Sequence, residues 1–420
     1  MAALARWRAP RAACRHAQRR ALRRFVRAAS LLMIIGVSAP VGGDVAADQT
    51  FLDRHWRRPI APQGAAPARF SPVEKSLAPA SCGTCHPAQL ADWKTSLHAR
   101  SMGPGVAGQL VSMWRDDPES ARLCLSCHAP LAEQQPSTSQ GRPNPAFDAG
   151  LQHAGIACAV CHVRRHERFG PPRRDGTTAA AAPRESLPHN GVARTSAFQQ
   201  SAFCASCHQF TTDGFALNGK LLENTYEEWK RSPAAREGRQ CQDCHMPDRR
   251  HLWRGIHDPE MVKSGVEVSV TTERPRYRPG DDLMALIVVK NVGVGHYFPT
   301  YVTPQVIVRA VLIDMAGSPV PGSEQEYVIA REVALDLSRE MFDTRIPPGE
   351  RARFSYRRRL GGKGLTLRAS VTVQPDHFYA GFFKSLLASG TGKGARQIHE
   401  ALEVSRRSSF DVFSRDVPLT

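Results

Sequence analysis

Beyond residue 265 the chain alternates. Leu365, Leu367, Ala369, Val371 and Val373 are interleaved with Thr366, Arg368, Ser370 and Thr372, and Ala352, Phe354 and Tyr356 with Arg351, Arg353, Ser355 and Arg357. A period of two sends one set toward a core and the other toward solvent, as in half-buried strands. These two runs flank Gly361-Gly362-Lys363-Gly364, which predicts a hairpin. Further strands are expected at 266–272, 282–291, 304–314 and 326–335. About six antiparallel strands separated by turn residues predict an all-β sandwich of immunoglobulin-like type over 263–420. A helical segment near Ala395–Arg407 is expected to close it. The hairpin arginines read as a solvated strand face, with an acidic partner as the alternative.

No such alternation precedes residue 263. Two breaker-rich stretches, 130–145 and 171–183, read as long surface loops. Residues 48–75, rich in Pro, Arg and Ala, read as an extended arm. At the N-terminus nine arginines from Arg6 to Arg27 precede the apolar run Ala28 to Ala39, and small residues follow to Ala47. That order predicts a secretory signal peptide over 1–47, cleaved after Ala47. The apolar run is too short to span a bilayer comfortably and Pro40 interrupts it, so no transmembrane segment is expected in the mature chain.

The segment 76–262 carries the chemistry. Cys82-Gly-Thr-Cys85-His86, Cys124-Leu-Ser-Cys127-His128, Cys158-Ala-Val-Cys161-His162, Cys204-Ala-Ser-Cys207-His208 and Cys241-Gln-Asp-Cys244-His245 repeat one pentapeptide and use ten of the eleven cysteines. Cys14 lies in the predicted signal. Cys-x-x-Cys-His attaches a c-type haem, with two thioethers to the vinyl groups and the histidine as proximal ligand of the iron. Zinc and iron–sulfur sites need no histidine after each second cysteine, and a redox Cys-x-x-Cys occurs once, not in series. Five covalent haem c groups are therefore expected, on proximal ligands His86, His128, His162, His208 and His245. The predicted fold class is α + β multidomain: a haem-packed, mainly α and loop pentahaem cytochrome c domain, then the sandwich. With so little polypeptide per cofactor, the porphyrins themselves should supply the apolar core.

Charge alters the partner inference. Nine arginines against Asp44 in residues 1–47 account for +8 of the formal +17, leaving +9. Ten haem propionates would offset much of that, so nucleic acid is a poor inference. The surplus fits haem carboxylates or an acidic redox partner. Export to the periplasm, with the outer surface as an alternative, follows from the predicted signal.

Whether such a protein relays electrons or performs chemistry depends on each iron's sixth position, since two histidines saturate it and an open position binds small molecules. Ten histidines remain outside the motifs and the predicted signal: His55, His98, His153, His166, His189, His251, His257, His296, His377 and His399. Met102 and Met246 are alternative ligands. Cys82–His86 followed by Trp93-Lys-Thr-Ser96-Leu-His98 resembles the first haem segment of the cytochrome c-554 type. That type is related to the hydroxylamine oxidoreductase and pentahaem nitrite reductase superfamily. His153 through His162 with His166 is similar to its later, histidine-flanked site. Trp229 to Pro233, then Cys241 to Pro247 with His251 and His257, resembles a segment of related multihaem cytochromes. The resemblance covers about residues 80–260. It implies distal ligation by His98, His153 and His257, with His166 and His251 evenly placed. The family carries four haems and lacks the β-domain, and both are departures.

His296, in Asn291-Val-Gly-Val-Gly-His296-Tyr-Phe-Pro299-Thr, is a further distal candidate. Gly293 and Gly295 allow a sharp turn toward another surface, and similar loops follow haem domains in multihaem cytochromes. His55 and His189 read as solvated, and His377 and His399 as packing or surface residues of the β-domain. All five motifs end in histidine, whereas the pentahaem nitrite reductases typically place lysine at the catalytic haem, which counts against nitrite reduction. The favoured reading is electron transfer between redox protein partners, a quinol-side donor and a terminal reductase or extracellular acceptor. The β-domain offers a docking module. The alternative is an oxidoreductase acting on a small nitrogen or sulfur compound at one five-coordinate haem.

Overall fold

In a computed structural model of the protein, residues 42–138, 140–180, 182–390 and 392–419 are described. Most of the predicted signal, with Cys14, lies outside them. Residues Gly43–Thr420 form one compact unit.

Each attachment motif lies in or against a short helix that local sequence starts and stops. Pro118–His128 begins on Asp117, whose side chain accepts from the Ser120 amide, with proline at the first helical position. Asp148 caps Ala149–His153 in the same way, immediately before Cys158–His162. Ala202–His208 and Cys241–His245 hold the fourth and fifth motifs, and Pro79–Gly83 holds Cys82. Buried apolar residues in this half form several small clusters. Ile60, Leu131, Leu151 and Val163 make one, Met102, Leu110 and Leu125 a second, and Leu52, Ala197 and Phe203 a third. Polypeptide alone builds no continuous core here.

The β half does. Val266–Thr272, Asp282–Asn291 and Arg351–Arg359 form a three-stranded antiparallel sheet with the second strand central. Phe410–Pro418, Thr366–Gln374, Gln305–Ile313 and Gln325–Ile329 form a four-stranded one in that spatial order. Inward residues of both sheets share one cluster, including Ala285, Ile287, Val308, Leu312, Tyr356, Leu367 and Val371. The alternation therefore named the right faces.

It did not name the right partners. The two runs flanking Gly361–Gly364 do not make a hairpin. Arg351–Arg359 pairs with Asp282–Asn291, whereas Thr366–Gln374 pairs with Gln305–Ile313 and Phe410–Pro418, so the glycine-rich link crosses between sheets. A period of two fixes which side chains are inside, and either sheet satisfies it. Unforeseen in the β half are the short strand Glu340–Asp343, the helix His377–Ser389 and the strand Phe410–Pro418, so the helix Ala395–Arg407 does not end the chain. The span expected as one strand at 326–335 is Gln325–Ile329 followed by a separate strand, Arg331–Val333. The arm is not extended throughout, because Gly42–His55 is helical.

The C-terminal helices return to the haem-motif half and pack on Pro104–Asp116. Phe383 lies over Gly105 and Ile398 over Gly108, where a Cβ would meet Ile398 Cδ1 at 2.8 Å. No helix among the described residues is long and apolar enough to cross a membrane.

Candidate haem centres

Four motif histidines face a second imidazole across a gap of nearly constant width. Ring centres are 6.4 Å apart for His86 and His189, 6.3 Å for His98 and His208, 6.2 Å for His162 and His251, and 6.3 Å for His245 and His296. The last pair is almost coplanar in orientation, at 7°. These rings are too far apart to stack. Two imidazoles on opposite sides of one first-row metal, each bonded at about 2 Å, place their ring centres about 6 Å apart. The residues present thus fit an iron centred between each pair.

A backbone carbonyl holds Nδ1 in four of these eight rings, and in His128 as well. Nδ1–H of His128 donates to the Ser101 carbonyl at 2.7 Å and that of His162 to the Phe169 carbonyl at 2.8 Å. His245 Nδ1 bonds the Arg254 carbonyl, His251 the Arg249 carbonyl at 3.1 Å and His296 the Tyr297 carbonyl at 2.9 Å. A carbonyl only accepts, so the proton sits on Nδ1 and Nε2 keeps its lone pair for a metal. Burial reinforces this by disfavouring imidazolium. It lowers His98 to about 3, with His208 adding, and lowers His162 and His296 to about 4. Nδ1 of His98 and of His189 is buried with no hydrogen-bond partner.

His208 is held differently. Its Nδ1 bonds the hydroxyl of Tyr301 at 2.8 Å, a side chain from the β half. Tyr301 has a left-handed backbone, φ 66°, that bulky residues seldom adopt. The Glu223 carboxyl interacts with that hydroxyl, and burial pushes it up to about 8. The folded protein therefore keeps a proton that the unfolded chain releases from about pH 4.5. Stability contributed at this carboxyl falls as pH rises from about 4.5 to 8 and is level above that. Glu223→Gln should remove this slope, measured as urea midpoints across the same range. A slope unchanged in the variant would place the titration elsewhere.

His128 faces no second imidazole among the described residues. The other histidines are occupied or turned outward. His153, one of those implied as distal by the family resemblance, is exposed at the end of Ala149–His153. His257 Nε2 lies 3.0 Å from Asp376 Oδ1, an ion-pair geometry that uses the nitrogen a metal would need. His166 is buried with Nε2 on the Gly64 carbonyl at 3.1 Å. His55, expected in solvent, is buried among Phe51, Phe169, Phe198 and Phe203 and bonds the Cys161 carbonyl at 2.9 Å. His377 lies 3.7 Å from Glu332 and His399 is exposed. Met102 packs with Leu110 and Leu125. Sequence reasoning missed His189. It sits at the tip of a tight turn, φ 56°, with its amide on Glu74 Oε1 at 2.9 Å. Only Pro188 before it and Asn190-Gly191 after it mark a turn that aims a side chain.

The cysteines of different motifs also meet. Cys82 interacts with Cys158, Cys127 with Cys207, and Cys204 with Cys241. The first motif thus neighbours the third, and the fourth neighbours both the second and the fifth. Among the described residues no three His, Cys, Asp or Glu side chains cluster closely enough to hold a bare metal ion.

Attachment cysteines in series, imidazoles spaced for an iron and Nδ1 nitrogens tied back define a multihaem c-type cytochrome, a class that carries electrons. Residues 81–163 match the family described as cytochrome c554 and c-prime. Cytochrome c-554 of Nitrosomonas europaea is 25% identical over 138 residues, 30% of this chain and 54% of that protein, so the match spans about half the relative's length. A penta-heme cytochrome c552 from Thermochromatium tepidum has the same fold, with TM-score 0.59 at 18% identity over 83% of this chain and 100% of that one. The chain thus resembles the multihaem cytochromes c of the c-554 type, which supports covalently bound haem c, and the fold likeness extends into the β half.

Proposed function

We infer that this chain is an exported, periplasmic pentahaem cytochrome that relays electrons between protein partners, a quinol-side donor and a terminal reductase or extracellular acceptor. Residues 1–47 would direct export, 48–75 strap the haem-bearing 76–262, and 263–420 form an immunoglobulin-like docking domain. Haem c on the ten motif cysteines supplies the one-electron ferric–ferrous couple. His86, His128, His162, His208 and His245 would hold the irons from the proximal side. The observation that carries this reading is the set of four imidazole pairs 6.2–6.4 Å apart. His189, His98, His251 and His296 then act as distal ligands, and two histidines on an iron leave it nothing to do but pass electrons. Motif neighbours in cysteine contact give a relay with the fourth site at a junction.

A second reading is favoured by one observation, the solitary His128. Without an opposing imidazole its site is open on one face, where a small nitrogen or sulfur compound could bind. The other four sites would then deliver or remove electrons.

Intact mass should exceed the processed apo-chain by five haems. Electron paramagnetic resonance of the oxidised protein should count four low-spin irons to one high-spin, and the reduced protein should take up one carbon monoxide. A wholly low-spin spectrum with no uptake would eliminate the second reading. Two or more high-spin irons would break the ligand assignment.

A further inference from the structure

Arg58 belongs to the arm, far in sequence from the motifs it touches. Its Nη1 donates to Ser126 Oγ at 3.0 Å and lies 3.2 Å from Cys127 Sγ, while Nη2 donates to the Ser206 carbonyl at 2.8 Å and lies 3.0 Å from Cys207 Sγ. Ser126 and Ser206 each precede the second cysteine of a motif, the second and the fourth. One guanidinium therefore bridges two attachment sites at equivalent positions. No carboxylate pairs with it among the described residues.

We propose that Arg58 is a fixed charge shared by the second and fourth haem sites, raising the reduction potential of both. The proposal rests on the haem assignment above. With haem attached the two sulfurs are thioethers, weak acceptors, so the hydroxyl of Ser126 and the carbonyl of Ser206 carry the strong bonds and hold the cation against both sites. Reduction adds one electron to each iron and moves no proton or bond. A neighbouring positive charge favours the reduced state, which carries one positive charge fewer, and in a half-buried setting water screens the effect only in part. Cys127 and Cys207 are themselves in contact, so both sites feel the same charge.

The arm does not depend on Arg58 for its course. On one side His55 bonds the Cys161 carbonyl, and on the other Ile60 is buried with Leu131, Leu151 and Val163. Removal of the charge should therefore leave the holoprotein folded.

The test is optical and paramagnetic redox titration of the five-haem holoprotein with Arg58→Gln and Arg58→Lys. In Arg58→Gln two of the five midpoint potentials should fall, the high-spin site being one of them. Each one-electron equilibrium should weaken about tenfold, which corresponds to about 59 mV. Arg58→Lys keeps the charge and should retain most of the wild-type values. Five unmoved potentials, a uniform shift of all five, or a lysine variant that falls as far as glutamine would each overturn the proposal. A wild-type protein with two or more high-spin irons would instead overturn the ligand assignment, so the two failures are distinguishable before any variant is made.

Discussion

Replacing His296 with alanine will leave haem content unchanged and turn one low-spin iron into a high-spin, ligand-accessible one. The imidazole faces His245 at 6.3 Å with the rings 7° from parallel, and no other histidine faces His245 among the described residues. What makes the variant informative is that the loop does not need the ring. Asn291 Nδ2 donates to the His296 carbonyl at 3.0 Å and to the Ile346 carbonyl at 3.1 Å, and its Oδ1 accepts from the Val294 amide at 3.0 Å. Gly293 passes so close to the preceding turn that a Cβ would lie 2.9 Å from the Ser264 carbonyl. The Tyr297 amide donates to Glu228 Oε2 at 3.2 Å, and Glu228 is paired with Arg345 at 2.9 Å. Loss of the side chain thus subtracts a ligand from a loop that keeps its place. The expected readout is a second high-spin signal and a second equivalent of carbon monoxide bound. A spectrum identical to wild type would show that His296 holds no iron and would leave Tyr301, on His208, as the β half's contact with a motif histidine.

Arg331→Met will destabilise the protein by about 3–5 kcal/mol, since three buried carbonyls each lose a donor at a cost of about 1–3 kcal/mol. Arg331 is 1% exposed. Its Nε donates to Glu340 Oε2 at 2.9 Å, and its other nitrogens satisfy the carbonyls of Leu221 at 2.6 Å, Lys220 at 2.8 Å and Leu217 at 3.1 Å. Those carbonyls belong to the small hairpin Ala216–Leu217 and Lys220–Leu221 in the haem-motif half, so the guanidinium fastens that hairpin to the β half. Methionine fills comparable volume and pairs with none of them. Lys220, 2.8 Å from Glu340, still neutralises the carboxylate, so most of the loss comes from the three stranded carbonyls. Denaturant midpoints followed by far-ultraviolet circular dichroism measure it, with the haem spectrum of the folded protein expected unchanged. A loss below about 1 kcal/mol would mean that water replaces the guanidinium at little cost.

The sequence by itself determined whatever is encoded contiguously. Cys-x-x-Cys-His is one helical turn of chain, so the five motifs, each with its own histidine, were legible without knowing where any of them sits. The period of two likewise marked the core faces of the sandwich strands, because alternation records only inside and outside. Tertiary structure decided everything that depends on which distant segments meet. His98 stands opposite His208 and His86 opposite His189, each pair about a hundred residues apart, and nothing near either residue records the partner. His153 and His257 stand near motif positions in sequence, yet one is exposed and the other lies against Asp376. His189 and Arg58, in segments read as polar loop and arm, come between them to three of the motifs. The strand order had the same cause, since Arg351–Arg359 and Thr366–Gln374 satisfy the alternation equally well beside each other or in opposite sheets. The motif names the kind of side chain an iron would take as ligand, and only the folded chain specifies which histidine lies within reach.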